Sequence, residues 1–206
     1  MLQFPNSGLY PLTQANPVSW NTWLAMTTQV VRAGIGALQL RVEDTTPRNA
    51  FTHLRNECSK NKVPLIVNND LALAEFLEAD GVHLGKDDSE IKLARELLGP
   101  DSIIGVSCYD SLDRALTAIE QGASYVAFGR MFPSETKPKA RACPLAVLSA
   151  AAKKLKVPVV AIGGITPKNV NILLNRNSKL VAVGHAIFGH DNPVVAVKQF
   201  RKAINV

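Results

Sequence analysis

Eight short runs of β-branched and apolar residues recur along the chain, and each stops abruptly at polar, Gly or Ser/Thr residues. They begin near Leu9, Ala37, Leu65, Gly81, Ile103, Tyr125, Val159 and Leu180. Segments of helical length and pattern, such as 112–121 and 194–204, lie between the runs. Strands that alternate with helices predict a parallel sheet, and eight such units predict that the sheet closes on itself. The sequence therefore predicts an α/β fold, a single (β/α)8 TIM barrel spanning residues 1–206.

Length and composition restrict the class of protein further. A chain of 206 residues is long enough for one well-packed domain and short for two. Its start lacks a basic region followed by an apolar stretch, and no apolar run approaches membrane-spanning length. The three cysteines, Cys58, Cys108 and Cys143, are widely spaced and read as reduced thiols. We therefore expect a cytoplasmic protein that does not associate with membranes.

The charge is unevenly distributed. The net charge is +6, with an excess of two acidic side chains in residues 1–100 and of eight basic side chains in residues 101–206. A basic half is typical of proteins that bind nucleic acid or small anions. Because no run of Lys and Arg alternates with aromatic residues, the pattern favours a phosphorylated small molecule over nucleic acid. Assembly into a homo-oligomer is compatible with the sequence.

Helices are expected to follow the strands in turn. The predicted ranges are about 20–33, 47–60, 71–77, 89–99, 111–122 and 145–155, then a seventh helix that begins at Thr166-Pro167 and an eighth over 194–204. Residues 131–143 form the one long connection. Loops of this length in a compact domain are usually functional or disordered.

Glycines follow the last two predicted strands. Gly163-Gly164 follows strand seven, and Gly184-His185 follows strand eight. Glycine lets backbone N–H groups approach an anion closely, and the loops after these two strands form the recurrent phosphate site of such barrels. The plain alternative is a tight turn, but this position in the fold favours a phosphate site.

A second anion site is predicted after strand six. Ser134, Thr136 and Lys137 offer two hydroxyls and an ammonium on the long loop. Such groups suit a substrate that is covered during reaction, although a solvated charged loop is an equal alternative.

Polar residues alternate with leucines in strand two. Gln39 and Arg41 project to the same side, which in a barrel is the interior, where an unpaired guanidinium is costly. Arg41 is therefore predicted to bind a ligand, and a structural pair with Glu43 or Asp44 is the alternative. His83 is interpreted as a structural interior residue, and Cys108 as an unreactive thiol.

Oxygen-rich residues end strands three and four. They are Asn68-Asn69-Asp70 and Lys86-Asp87-Asp88. Carboxylates beside a phosphate site predict Mg²⁺, whereas Asp and Asn also favour helix starts, and both roles are compatible.

Taken together, these segments resemble the thiamine-phosphate synthase (thiamine phosphate pyrophosphorylase) family. The matching stretches are YPLTQ, ALQLR, VPLIVNND, ADGVHLGKDD, IIGVSC, GASYVAFGRMFPSETKP, VPVVAIGGIT and VAVGHAIF, in order along nearly the whole chain. The resemblance implies a transferase that joins hydroxymethylpyrimidine pyrophosphate to a thiazole phosphate, with Mg²⁺ as cofactor. It implies a dissociative reaction in which pyrophosphate leaves before the thiazole nitrogen attacks.

The resemblance also assigns residues. The pyrimidine and its pyrophosphate would be held by Gln39, Arg41, Asn68, Ser107 and Lys137, of which Arg41, Ser107 and Lys137 would take part in catalysis. The thiazole phosphate would be held by Ser134 and Thr136, with the backbone near Gly164 and His185. Asp88 would be a Mg²⁺ ligand.

Three positions depart from the family pattern. Glu43 stands where the family has a lysine, Asn69 where it has an aspartate, and His185 where it has a small polar residue. Asn69 is therefore a weaker metal ligand. We hypothesise that Glu43 supplies the missing metal-binding oxygen, with Asp70 or Asp87 as competing sources.

Two other functions are compatible with the sequence. A related thiazole tautomerase shares the barrel, but it would need an acid or base after strand six, where this chain has Arg130. A degenerate paralogue that binds phosphorylated ligands without turnover is supported by Glu43 and Asn69.

Overall fold

In the computed structural model, which describes residues 2–15, 19–42, 48–85, 89–134 and 141–205, eight parallel strands form one sheet. The strands are β1 (Gly8–Pro11), β2 (Leu38–Leu40), β3 (Leu65–Asn68), β4 (Gly81–Leu84), β5 (Ile103–Tyr109), β6 (Tyr125–Phe128), β7 (Val159–Ile162) and β8 (Leu180–Val183). The predicted barrel fold is confirmed, because every strand is parallel to its neighbours and helices alternate with strands.

The barrel is joined less completely at one place, between β1 and β2. Seven neighbouring strand pairs are joined by hydrogen-bonded ladders, whereas Leu12 and Gln39 form an isolated bridge between β1 and β2. Backbone hydrogen bonds from Gly36 to Leu9 and from Thr13 to Gln39 add to it. The Thr13 hydroxyl accepts from the Arg41 N–H at 2.9 Å and donates to the Arg41 carbonyl at 3.2 Å. We call this junction the seam.

Helices cover the outside of the barrel. They are α1 (Trp20–Arg32), α2 (Arg48–Lys60), α3 (Leu71–Phe76), α4 (Ser89–Leu98), α5 (Leu112–Glu120), α6 (Leu145–Lys154), α7 (Val170–Leu174), α8 (His185–Phe188) and α9 (Pro193–Ile204). Side-chain caps begin several of them: Ser19 accepts from Thr22 N–H, Ser111 from Arg114 N–H, and Asn192 from the first turn of α9. These caps fix where the connecting segments enter each helix.

The alternation of side chains along each strand divides the apolar residues into two cores. Leu9, Leu38 and Val126 face outward and pack against the helices. Tyr10, Ile66 and Tyr125 face inward and fill the barrel with a smaller cluster. Because successive residues of a strand point to opposite faces, both layers follow from the sequence pattern.

Two predicted boundaries were wrong, and one short helix was not predicted. Helix α7 begins at Val170 rather than at Thr166-Pro167, because residues 167–169 form a turn in which the Asn169 carboxamide accepts from Thr166 N–H at 2.8 Å. Strand β5, for which the apolar run predicts residues Ile103–Val106, extends to Tyr109, with a register shift between Ser107 and Tyr109. The short helix α8 was not predicted. Among the described residues, no helix combines the length and apolar character that crossing a membrane requires.

Candidate active site

Gln39 and Arg41 lie at the carboxyl end of β2 and point into the barrel. Gln39 is only 2% exposed, and its Nε2 donates to the Tyr10 hydroxyl at 3.1 Å. The Arg41 Nε donates to the Gln39 Oε1 at 3.1 Å. The predicted inward orientation of both side chains is therefore confirmed.

Further hydrogen bonds continue across the barrel. The hydroxyls of Tyr10 and Tyr125 lie 2.9 Å apart, and the Tyr125 hydroxyl lies 2.9 Å from the Nδ1 of His83. The Nε2 of His83 lies 2.9 Å from the Ser107 Oγ on β5. We call this series the interior chain; its members are Arg41, Gln39, Tyr10, Tyr125, His83 and Ser107. It connects the predicted binding residues Arg41, after β2, and Ser107, on β5, across the interior of the barrel.

Arg41 is a partly buried cation. Burial lowers the pKa of its guanidinium, and the neighbouring Tyr10 opposes that shift only in part. Within the described part of the chain, no carboxylate lies within ion-pair distance of Arg41. The alternative partners, Glu43 and Asp44, lie outside the described residues. A buried charge of this kind is stabilised by an anionic ligand.

Ser107 is held at the end of β5 by a residue that sequence reasoning missed. The Arg114 side chain donates from Nε to the Ser107 carbonyl at 2.9 Å and from a terminal nitrogen to the Gly85 carbonyl at 3.0 Å. Arg114 thus ties the ends of β4 and β5 together from the first turn of α5. An arginine near a helix start gives no distinctive sequence signal.

The asparagines after β3 sit beside the end of β4. Asn68 pairs in register with His83, and the Asn69 N–H donates to the His83 carbonyl at 2.9 Å. The Asn69 Oδ1 lies toward Gly85, 3.7 Å from where a β-carbon on that glycine would be. Asn69 therefore lies beside Gly85, and the residues that follow Gly85 in the sequence, 86–88, which include the predicted ligand Asp88, lie outside the described residues.

Asp70 has a structural role. Its Oδ1 accepts from the Leu73 N–H at 2.8 Å and caps α3, as the capping alternative predicted. Over the described ranges, no group of three His, Cys, Asp or Glu side chains is arranged to hold a metal ion. Glu43, Asp87 and Asp88 lie outside those ranges.

Gly163 and Gly164 are packed beneath the segment that follows β6. Both glycines have positive φ, +101° and +64°. Backbone N–H groups of Met131 and Phe132 donate to the carbonyls of Ile162 and Gly163, each at 3.0 Å. A β-carbon on Gly164 would lie 2.6 Å from the Phe132 carbonyl oxygen and closer still to that of Pro133. The structure therefore brings Ser134, the next residue, to the Gly163-Gly164 turn. Thr136 and Lys137 lie outside the described residues.

His185 begins α8 directly after β8, which pairs with β7. The His185 ring lies against Gly189, where a β-carbon would come within 2.8 Å of Nδ1. The two predicted phosphate-binding turns thus follow adjacent strands at the same rim of the barrel. Asn169, whose Nδ2 donates to the Gly164 carbonyl at 2.9 Å, steadies the first of them.

The cysteines are buried and unsuited to nucleophilic attack. Burial raises the pKa of the Cys58 thiol to about 12 and that of Cys143 to about 11. Thiols with raised pKa values form little thiolate at neutral pH. The site therefore depends on charge, hydrogen bonds and shape.

The interior tyrosines were missed as site residues, although a signal for them exists. Tyr10 and Tyr125 alternate with outward-facing Leu9 and Val126 in strands whose positions were predicted. The strand period alone places both hydroxyls inside the barrel. That they meet each other and His83 depends on which strands face one another, which the sequence pattern does not specify.

Comparison of the sequence with known proteins identifies a family. Residues 9–187 match the family described as thiamine monophosphate synthase. A thiamine-phosphate synthase from Methylobacillus flagellatus is 42% identical over 204 residues, covering 98% of this chain and 97% of its own. One from Thiobacillus denitrificans is 44% identical over 191 residues, covering 91% and 90%.

A solved structure shows the same likeness. The thiamine phosphate pyrophosphorylase from Pyrococcus furiosus superimposes with a TM-score of 0.82 at 30% identity, covering 97% of this chain and 96% of that one. Sequence and fold thus agree over almost the full length of the chain, which belongs to the thiamine monophosphate synthase family.

Proposed function

We propose that this protein is a thiamine-phosphate synthase that joins hydroxymethylpyrimidine pyrophosphate and thiazole phosphate by a dissociative substitution assisted by Mg²⁺. The observation that carries the proposal is Arg41, a partly buried cation at the carboxyl rim with no carboxylate partner among the described residues. A pyrophosphate supplies the compensating negative charge that such a guanidinium requires.

The reaction needs charge neutralisation more than a protein nucleophile. The bond between the pyrimidine methylene carbon and the pyrophosphate oxygen breaks, and its electron pair leaves with pyrophosphate. The lone pair of the thiazole nitrogen then forms the new C–N bond, and no proton has to move. Arg41 and Lys137 stabilise the negative charge that develops on the departing group. Gln39 and Ser107 hold the pyrimidine ring in line for attack.

The second substrate fits the opposite part of the rim. The Gly163-Gly164 turn and the start of α8 follow adjacent strands, and the segment after β6 lies over the first turn. Ser134, Thr136 and the backbone near Gly164 and His185 bind the thiazole phosphate. Binding there directs the thiazole nitrogen toward the pyrimidine at the centre of the barrel.

The donors near β3 and β4 suit a hard divalent cation. The amide oxygen of Asn69 lies toward Gly85, next to the segment that contains Asp87 and Asp88. Oxygen ligands of this kind are those that Mg²⁺ prefers. Asp88 and Asn69, with Glu43, would hold the ion, which when bound supplies further neutralisation of pyrophosphate.

The direct test is formation of thiamine phosphate from the two purified substrates with Mg²⁺, together with calorimetry for each substrate alone. We expect turnover, and we expect Lys137→Ala to lower it by about 100-fold or more because one neutralising charge is lost. Lys153→Ala, at the exposed end of α6, is the matched control and should behave as the wild type. Binding without turnover would identify a non-catalytic paralogue, and isomerisation of the thiazole phosphate alone would identify a tautomerase.

The role of Glu43 is tested separately. If it is a metal ligand, Glu43→Ala should weaken activity and raise the Mg²⁺ concentration required for it. Glu43→Lys combined with Asn69→Asp should restore turnover. A gain of activity from Glu43→Lys alone, at an unchanged Mg²⁺ requirement, would contradict the metal-binding role.

A further inference from the structure

We propose that Tyr125 and His83 are positioning residues: the interior chain holds His83 as the neutral tautomer protonated at Nε2, so that Ser107 presents its hydroxyl proton to the substrate. The identity of that substrate rests on the proposed function. The proton arrangement itself rests on the hydrogen-bond geometry within the barrel. Each link is fixed by the one before it.

The direction of the chain is set at Arg41. A guanidinium has donors and no acceptor, so the Gln39 atom that it contacts has to be the carbonyl oxygen. The Gln39 carboxamide therefore turns its NH₂ group toward Tyr10, at 3.1 Å. Rotating the carboxamide by 180° would place an N–H against the Arg41 N–H. The oxygen of Tyr10 thus accepts a hydrogen bond.

The two tyrosines transmit this direction. A phenol carries one proton, and the Tyr10 oxygen already accepts from Gln39, so its proton is directed to Tyr125, at 2.9 Å. Burial raises the pKa of both hydroxyls, which keeps both protons in place. If Tyr125 instead donated to Tyr10, the Tyr10 proton would be displaced from its acceptor in a fully buried site. A buried hydroxyl that loses its acceptor in this way destabilises the folded protein.

The tautomer of His83 follows from this order. The Tyr125 oxygen accepts from Tyr10, so the Tyr125 proton is directed to the Nδ1 of His83, at 2.9 Å. Nδ1 then carries a lone pair, and the ring proton of the neutral imidazole is on Nε2. That proton is donated to the Ser107 Oγ, also at 2.9 Å. His83 is only 7% exposed, which keeps the arrangement away from bulk water.

Ser107 is where the chain meets the substrate. Its oxygen accepts from His83, so its own proton is available on the side facing the open rim, where the residue is half-buried. The site therefore selects a hydrogen-bond acceptor at this point, a nitrogen or oxygen lone pair of the pyrimidine substrate. An analogue with C–H or N–H at that position should bind poorly, because two hydrogens would oppose each other.

The first experiment needs neither a variant nor turnover. In the wild-type protein labelled with ¹⁵N-histidine, one of the four histidines should show a protonated Nε2 and an unprotonated Nδ1, and His83→Gln should identify that signal. In Tyr125→Phe, the two neutral tautomers should become mixed, because the acceptor preference of Nδ1 is lost. A wild-type His83 protonated at Nδ1 would overturn the proposal, whatever the catalytic assay gives.

The second experiment asks whether Tyr125 acts through Ser107. Tyr125→Phe should raise the KM for the pyrimidine pyrophosphate by about 10-fold, the equivalent of one hydrogen bond of about 1.4 kcal/mol, with the KM for thiazole phosphate unchanged. In a Ser107→Ala background, the same substitution should have no further effect. Equal effects in both backgrounds would overturn the proposal.

Two further variants distinguish a positioning effect from a general loss of stability. Tyr10→Phe breaks the chain one link earlier and should produce the same KM pattern. Thr27→Val removes a buried hydroxyl that donates to the Trp23 carbonyl in α1, so it controls for a lost hydrogen bond outside the barrel. An equal rise in the pyrimidine KM of Thr27→Val would indicate a general stability effect and would also overturn the positioning role. Absence of turnover in the wild type would refute the proposed function while leaving the tautomer result intact.

Discussion

At the scale of single residues, Arg41 carries the largest expected effect on activity. Its charge is partly buried and has no carboxylate partner among the described residues. Replacing it with methionine, Arg41→Met, should lower kcat/KM for the pyrimidine pyrophosphate by about 100-fold or more. Thermal unfolding should shift little, because relief from a buried charge offsets the hydrogen bond lost to Gln39.

Steady-state kinetics and thermal melting of the same preparation check this expectation. Arg32→Met is the matched control, since Arg32 is exposed and pairs with Glu57 on the outer helices. It should leave kinetics unchanged. A large loss of stability in Arg41→Met with normal kinetics would mean that the guanidinium has only a structural role.

The residues of the site differ in how far the sequence predicts them. Alternation in β2 was enough to turn Gln39 and Arg41 inward, because a strand period needs only neighbouring residues. The meeting of Tyr10, Tyr125 and His83 was not predicted, since it depends on distances across the closed barrel. The roles of Lys137, Thr136 and Asp88 remain predictions from the family resemblance. The role of Glu43 remains a hypothesis, which rests on a departure from the family pattern.

At the scale of elements, the segment that follows β6 packs against the Gly163-Gly164 turn. This contact determines the expected effect of a substitution at Gly164. A side chain on Gly164 would first meet the carbonyl oxygens of Phe132 and Pro133. Gly164→Val should therefore displace the segment that leads to Ser134 and Lys137. We expect weaker binding of both substrates and a stability loss of about 2 to 4 kcal/mol from backbone strain and overlap.

Gly99→Val is the control that separates backbone strain from steric overlap. Gly99 has a similarly positive φ, +89°, but a β-carbon there would meet nothing within 4 Å. This control should lose about 1 to 2 kcal/mol in urea unfolding and keep both affinities. Selective loss of thiazole phosphate binding in Gly164→Val would instead indicate that the valine occupies only the phosphate position.

Element boundaries were predicted well where a strand is short and apolar, and poorly where a turn imitates a helix start. Thr166-Pro167 has the composition of a capped helix, yet the Asn169 side chain binds Thr166 N–H and holds a turn first. The extension of β5 to Tyr109 depends on pairing with β6. Both outcomes are set by tertiary contacts that local composition does not contain.

At the scale of the whole molecule, the buried tyrosines should make the protein sensitive to alkali. Burial raises the pKa of the Tyr10 and Tyr125 hydroxyls above their ordinary value near 10. Above pH 10 the unfolded chain releases these protons and the folded protein keeps them, so the free energy of unfolding falls as pH rises. The contribution is fully present below pH 10 and falls by about 1.4 kcal/mol per pH unit for each tyrosine.

Urea unfolding between about pH 8 and about pH 11 measures this slope. Tyr125→Phe should make it shallower, because one of the two groups is gone. The buried Cys58 thiol contributes in the same direction and should account for part of the slope that remains. An identical slope in wild type and variant would show that the phenols titrate normally.

The seam between β1 and β2 makes the closure of the barrel sensitive to a ligand bound at its carboxyl rim. The Thr13 hydroxyl that joins the two strands binds the backbone of Arg41, the residue expected to hold pyrophosphate. Where two strands share few hydrogen bonds, local opening lets their amide hydrogens exchange with solvent without global unfolding. Deuterium uptake at the Thr13 and Arg41 amides should therefore be fast in the empty protein and slow several-fold when inorganic pyrophosphate is added, while the amides of the fully paired β4 and β5 stay unchanged. A ligand at the rim would in this way stabilise the closure of the barrel between β1 and β2.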